Sequence, residues 1–454
     1  MKKILIVALS MILLSACVDN SGDTNGGANE VSVVDAEYPT KIVYKQGSDQ
    51  SGQMQDCEER NGVFNECGDG CPPGSDICAT VCVPVCELSR ADEVVEPELE
   101  KIEAWDGVDE TGLGLKVPSG FKIEEFVSDV PGARDLAGPD GLGNYWLSRT
   151  KQGVVSLITI GDDGKVQSVD DILTGLNNPH GVALDGQDSF KLYVAEEDKV
   201  FAVDLYTEGN METLVELPEG GRHFTRSLLM GPDDRLYVSI GSRCDVCEES
   251  DERIGTVYVM DKDGSDFELY SEGLRNSIFM NIEPIFGDIW ATEMGRDNLG
   301  DDLPPDEVNV LRAGAHYGWP YCYGKKVYDE EFGLKSAEFC DDTVGSKIDL
   351  QAHSSPMGLV FIPEEGWPEG WGNDLLVAYH GSWNRTEPTG YKLMYFDLDD
   401  TENRELLGRR EFISGWLKDD GTVVGRPVDL LIQPGGTLFI TDDYRGAVYR
   451  VTSI

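Results

Sequence analysis

Basic side chains are scarce in this sequence: 37 Lys and Arg stand against 84 Asp and Glu in 454 residues, a formal net charge of −47. So strong an acidic excess argues against nucleic-acid binding, which needs a basic face; it favours solubility and suits a saline habitat. The apolar run Ile4–Leu14 is too short to cross a bilayer as a helix, and no other apolar run is long enough. Helical periodicity is nearly absent, which argues against a helical core. Histidines number five. No second Cys/His pair lies near Cys244 and Cys247, so a disulfide or local loop staple is favoured there over a metal site.

What is present begins with a leader. Met1, Lys2 and Lys3 precede an apolar run from Ile4 to Leu14, the pattern of a secretory signal over residues 1–16. Leu14-Ser15-Ala16-Cys17 resembles a bacterial lipobox and makes Cys17 the lipid-bearing first residue of the mature chain. Attachment to the membrane is expected through that anchor alone, at the outer membrane in a Gram-negative cell. Loss of Lys2 and Lys3 takes the net charge from −47 to −49. Of the eleven cysteines, ten remain for pairing: six between Cys57 and Cys86, then Cys244 with Cys247 and Cys322 with Cys340. Residues 17–56 read as a flexible Gly/Ser/Asn-rich tether. Residues 57–86 form a small cysteine-rich module in which covalent links replace a core. Its run Val63-Phe-Asn-Glu-Cys-Gly-Asp-Gly-Cys-Pro-Pro73 resembles the start of trypsin-inhibitor-like modules, although a structural spacer is the preferred role. Residues 87–114 are an acidic linker.

From about residue 115 one unit recurs: an apolar strand, a turn with Asp, Asn or Gly, then an aromatic-bearing strand. Copies lie at Leu142–Ser148, Val182–Ala195, Leu228–Ser239, Ile282–Thr292, Leu359–Ala378 and Leu430–Thr441. Six copies predict an all-β, six-bladed β-propeller over 115–454. The stretch from Gly120 to Val127 is expected to close the last blade against Ala447–Thr452.

In a propeller, loops from every blade converge on a central channel, so functional residues should recur just before the inner strands. Asn178-Pro179-His180, Arg222-His223-Phe-Thr-Arg226, Arg275-Asn276, Ala352-His353 and Gly425-Arg426 stand there, and His380-Gly-Ser-Trp383-Asn-Arg385 follows the fifth repeat's aliphatic strand. Arg275 and Asn276 precede a strand that runs into a loop carrying Asp297, Asn298, Asp301, Asp302, Asp306 and Glu307. Cationic and amide donors beside clustered oxygen ligands suit an anionic cofactor held by a hard cation.

The segment from Gly273 to Cys322, with Arg275-Asn276 before the acidic loop and Tyr317-Gly-Trp-Pro after it, resembles the quinoprotein sugar dehydrogenases, in particular their sorbosone and pyranose dehydrogenase branch. The resemblance extends over the whole propeller. It implies pyrroloquinoline quinone and Ca2+ as cofactors, and an aldose or related sugar oxidised at its anomeric carbon. A c-type cytochrome or a quinone is the implied electron acceptor. It implies His180 as the general base, Arg275 and Asn276 as cofactor contacts, and the carbonyls of Gly295 and Arg296 as calcium ligands. Asp297 and Asp301 are added as metal candidates, Arg226, Arg385 and Arg426 as partners of the cofactor carboxylates, and Trp383 as a stacking platform. Two departures leave the sugar open: Pro179 stands where the glucose enzymes carry a carboxylate, and Arg296 where they carry proline. The rival readings are a calcium-dependent lactonase and a non-enzymatic binding propeller of the Hedgehog-interacting type.

Overall fold

The computed structural model describes residues 102–185, 190–205 and 210–454, together with the backbone of four short strands nearer the N-terminus. The chain divides into two units, residues 1–96 and 97–454. In the first, strands Val31–Val33, Lys41–Tyr44, Cys82–Leu88 and Gly62–Asp69 form one sheet in that order. The expected leader, lipidated Cys17 and six-cysteine pairing lie outside the described residues. The stretch 17–56 is not wholly a flexible tether: Val31–Val33 pairs with Lys41–Tyr44, and Lys41–Tyr44 pairs with Cys82–Leu88 of the cysteine-rich module. Among the described residues no helix is long and apolar enough to cross a membrane.

The second unit is a six-bladed β-propeller. Five of the six repeats read from the sequence reach both inner strands of a blade, while the first, Leu142–Ser148, reaches only the second strand of its blade. Two further antiparallel strands complete each blade, and the third gains a short parallel strand, Ala315–His316. The six inner strands are Ala133–Ala137, Val182–Leu184, Arg226–Met230, Ser277–Ile282, Pro356–Phe361 and Pro427–Ile432. The second strands, such as Leu236–Ile240 and Leu375–Tyr379, are buried along their whole length. That suits strands covered on both faces by neighbouring blades, and accounts for their unbroken apolar character. Apolar clusters accordingly sit between blades. One joins Trp146 and Val155 to Leu192 and Phe201, the next joins Tyr193 and Ala202 to Leu236 and Val238, and so on around the ring.

Closure occurs as the sequence implied. Phe121–Val127 pairs antiparallel with the last strand, Ala447–Ser453, from Phe121↔Ser453 to Val127↔Val448, so the final blade draws on both ends of the unit and the ring of blades is closed by strand pairing. Among the described residues helix is confined to a single turn at Glu338–Asp341 and a short 3-10 turn. The former lies in an insertion of the fourth blade, between strands Asp306–Leu311 and Ile348–Leu350, and the Cys322–Cys340 disulfide crosses that insertion.

The acidic segment before the propeller is not wholly a linker. Glu103 bridges in parallel to Arg410 on the outer strand Leu406–Ile413, and Trp105 donates Nε1–H to the Glu411 carbonyl at 2.6 Å. Trp105 also stacks on Trp371 at 4.6 Å. Val108–Glu110 pairs with Lys116–Pro118. Acidic composition concealed this attachment because backbone pairing is indifferent to side-chain charge.

A buried ion pair joins the fourth and fifth blades: Arg404 Nε lies 3.1 Å from Glu283 Oε1, with side chains 2% and 0% exposed. Removing one partner strands a desolvated charge. Glu283→Ala is expected to lower stability by about 3–5 kcal/mol, read as a shift in urea midpoint.

Candidate functional site

In each four-stranded blade, the start of the inner strand and the loop after the second strand open on the same end of the channel. That alternation brings Arg134, His180, Arg226, Asn276, Gly295, His353, His380, Arg426 and Asp443 to one face.

His180 is fully buried at the head of the second blade. Its backbone is locked on both sides: its N–H donates to Ala195 at 2.9 Å, and its carbonyl accepts from Ser148 Oγ at 2.6 Å. Ser227 Oγ donates to the Ile278 carbonyl and lies 3.3 Å from His180 Nδ1. A hydroxyl that has spent its only proton can then only accept, so Nδ1 carries the hydrogen. Nε2 is left as a bare lone pair, buried and with no hydrogen-bond partner among the described residues. Burial first, then the positive charge of Arg134, pushes the imidazole well below its ordinary pKa. A neutral ring with an unclaimed acceptor nitrogen is a proton acceptor in waiting.

Beside it, four side chains from three blades interlock. Arg134 donates to Asp443 Oδ2 at 3.1 Å, and His380 Nε2 lies 2.9 Å from Asp443 Oδ1. Arg426 donates to the carbonyls of His380 (3.1 Å) and Gly381 (2.7 Å) and lies over the Tyr391 ring at 5.5 Å. Burial pushes His380 down to about 4. Asp443 stays well below the usual carboxylate range although burial opposes this, because His380 and Arg134 adjoin it. Arg134 keeps a second nitrogen whose only hydrogen bond among the described residues is to the Met357 sulfur at 3.9 Å.

A second network gathers Arg222, Asp245, Arg275 and Asp297. Arg275 donates Nε–H to the Asp245 carbonyl at 2.9 Å, and Nη2–H to Asp245 Oδ1 at 2.7 Å and Asp297 Oδ2 at 3.4 Å. Arg222 pairs with Asp297 Oδ2, and Asn384 donates to Asp297 Oδ1 at 3.0 Å. Asn276 is held by its N–H on Glu293 Oε1 at 2.6 Å. Trp383 is 66% exposed, which excludes a core role, and the Arg222 guanidinium lies 5.5 Å over its ring.

The acidic loop is dispersed rather than gathered. Asp297 is consumed by Arg222, Arg275 and Asn384. Asp301 Oδ1 accepts the Thr386 N–H at 3.0 Å while its carbonyl accepts from Arg385. Asp306 caps the N–H groups of Gly295 (3.0 Å) and Ser355 (2.9 Å), and Glu307 that of Gly324 (2.6 Å). Asp297 and Asp301 therefore do not converge. By contrast, the Gly295 and Arg296 carbonyls accept no hydrogen bond among the described residues.

Two arginines chosen from the sequence serve the scaffold. Arg226 turns away and donates to the carbonyls of Pro218 (2.7 Å), Thr225 (2.9 Å) and His223 (3.0 Å). Arg385 ties Asp301, Asp302 and Ala352 together. Arg134, Ser227, Asp245 and Asp443 were missed. Arg134 had a usable signal, since it sits at the head of an inner strand as His180 does; starting the first repeat at Leu142 skipped the strand Ala133–Ala137.

Burial pushes Glu293 and Asp306 up to about 7 and Glu307 up to about 8. An acid with a raised folded pKa holds its proton more tightly when folded, so stability is lost as pH rises through that pKa. The depressed histidines act in the opposite sense, but only below their ordinary value of 6.5. Between pH 6.5 and 8, in chelator, the thermal midpoint is expected to fall as pH rises. A midpoint that rose over this window would mean these acids are ionised in the fold.

The TrAA12-like family model matches residues 115–453, and the chain belongs to that family. An uncharacterized protein of Borreliella burgdorferi is 30% identical over 357 residues, covering 74% of this chain and 90% of that protein. The holo pyranose dehydrogenase PQQ domain of Coprinopsis cinerea superposes with a TM-score of 0.65 at 19% identity, covering 77% of this chain and 99% of the domain. The calcium structure of the Trichoderma reesei carbohydrate-active enzyme of family AA12 gives 0.64 at 20%, covering 78% and 99%. The two solved structures share the fold.

Proposed function

We propose that this chain is a sugar dehydrogenase that uses pyrroloquinoline quinone and calcium to oxidise an aldose or related sugar at its anomeric carbon. The carrying observation is the neutral, unpartnered Nε2 of His180 at the channel, beside Arg134. The names of the structural neighbours, a pyranose dehydrogenase PQQ domain and a calcium-containing AA12 enzyme, support the same reading.

The residues present fit both groups. Arg134 and Arg426 supply local positive charge to an anionic cofactor in a chain of −47, and Arg222 and Trp383 form the exposed rim. The Gly295 and Arg296 carbonyls offer hard oxygen ligands of the kind calcium takes, with Asp297 held close behind them. When bound, the quinone supplies a two-electron acceptor for hydride and the calcium a Lewis acid.

The chain's own contribution is proton handling. His180 Nε2 accepts the proton of the anomeric hydroxyl, while Ser227 holds Nδ1–H and so keeps the lone pair on Nε2. Burial excludes water that would compete for that proton. Electrons then leave to a c-type cytochrome or a quinone, and lipidation at Cys17 would keep the enzyme at a membrane surface.

The test is dye-linked sugar oxidation by purified apo-protein across a panel of aldoses. Activity should appear only when calcium and the quinone are both supplied. Absence of activity on every sugar, with no quinone bound, would remove the reading in favour of a binding propeller.

A further inference from the structure

The Cys244-Asp245-Val246-Cys247 turn closes on itself through a disulfide of sequence separation 3, against 18 for Cys322–Cys340. So short a ring removes little entropy from the unfolded chain, which makes global stability a poor account of it. What the ring holds is Asp245. The main-chain oxygen of that residue accepts from Arg275 Nε at 2.9 Å and from Trp319 Nε1 at 3.2 Å. Its Oδ1 accepts from Arg275 Nη2 at 2.7 Å and from the Asp297 N–H at 2.9 Å. The Cys244 carbonyl accepts from Ser242 Oγ at 2.8 Å, and that hydroxyl lies 2.7 Å from His223 Nδ1. One four-residue ring thus fixes Arg275, Asp297 and His223 from three separate segments.

The ring is also reachable. Cys244 and Cys247 are half-buried, whereas Cys322 and Cys340 are 5% and 2% exposed. Glu249 Oε1 lies 3.7 and 3.8 Å from the two sulfurs. Ligand atoms of Cys244, Cys247 and Glu249 all fall within 4.8 Å of one another. Two thiolates and a carboxylate at that spacing, with water as a fourth ligand, make a donor set for a thiophilic divalent cation.

We propose that the Cys244–Cys247 bridge is a thiol-sensitive clasp on the Arg275–Asp297 side of the site. Closed, it holds Asp245 in place; opened by a dithiol, it releases Asp245 and leaves Cys244, Cys247 and Glu249 to take up a zinc-like cation. The opening is thiol–disulfide exchange. One thiolate of the dithiol attacks a bridge sulfur, the S–S bond breaks, and the second thiol resolves the mixed disulfide. Two electrons and two protons pass to Cys244 and Cys247, and the dithiol becomes a disulfide. Cation uptake then releases the two thiol protons. The clasp rests on this geometry alone; only its effect on catalysis rests on the quinone reading.

The experiment uses the full chain treated with graded dithiothreitol. Differential alkylation with peptide mass spectrometry should show Cys244 and Cys247 opening before Cys322 and Cys340. Amide exchange at Arg275, Asn276 and Asp297 should then accelerate by roughly 10-fold or more, as expected when a local restraint is lost. Reduced wild-type protein should bind one more equivalent of zinc than Cys244→Ser/Cys247→Ser. Should that variant fail to fold, Asp245→Asn in the oxidised protein serves instead and should raise the same exchange rates. Opening of the bridge with unchanged exchange, or equal zinc uptake by variant and wild type, overturns the clasp. If exchange and zinc behave as expected but no quinone ever binds, the clasp stands and the cofactor reading falls.

Discussion

His180→Ala is expected to lower turnover by about two orders of magnitude or more while quinone affinity survives. The reason is the division of labour at this ring. Its Nδ1–H is occupied by Ser227 and its backbone by Ala195 and Ser148, so the structural connections lie on one side and the free lone pair on the other. Burial and Arg134 also set the pH dependence. With the folded pKa pushed well below 6.5, the base is already deprotonated at mildly acidic pH, so the acid limb of kcat/KM should lie below 6.5. Steady-state rates of the loaded variant, with quinone binding followed by fluorescence, check both statements. Near-normal turnover would move the base elsewhere. His223, whose Nδ1 lies 2.7 Å from Ser242 Oγ and which burial pushes down to about 3, would be the next candidate.

Chelation is expected to release the cofactor or abolish activity, and calcium should restore it where zinc does not. Hard carbonyl oxygens at Gly295 and Arg296 suit calcium. Zinc prefers nitrogen and sulfur ligands, and the three-donor Cys/Glu set among the described residues is closed by its own disulfide. The metal also answers an electrostatic difficulty: in a chain of −47 a tricarboxylate needs locally reversed sign, and Arg275 is already matched by Asp245 and Asp297. Equilibrium dialysis of the quinone with and without chelator, alongside dye-linked rates, measures this. Full activity in metal-free protein would leave Arg134 and Arg426 as the sole anchors and would remove Gly295 and Arg296 from the site.

The sequence by itself determined the features that depend on local pattern. Six strand-turn-strand copies specified six blades, and the match of Phe121–Val127 to the C-terminal strand specified how the ring closes. Grouping of the cysteines into even sets paired Cys244 with Cys247, and Cys322 with Cys340 across the insertion. The position of His180 at the head of an inner strand followed from the same register, because strand and turn chemistry act over a few residues. Tertiary structure alone decided what the long and charged side chains do. Arg226 and Arg385 found carbonyl acceptors in their own scaffold, and the carboxylates of the acidic loop scattered among amides and arginines from other segments. Residues 102–114 joined the edge of the fifth blade and its neighbours. An arginine or carboxylate takes the partner that folding brings within about 3 Å. Arg226 takes acceptors 1 to 8 residues away, but most of the others lie far along the chain, as with Asn384 and Asp297 at a separation of 87, where no local pattern can specify the pairing.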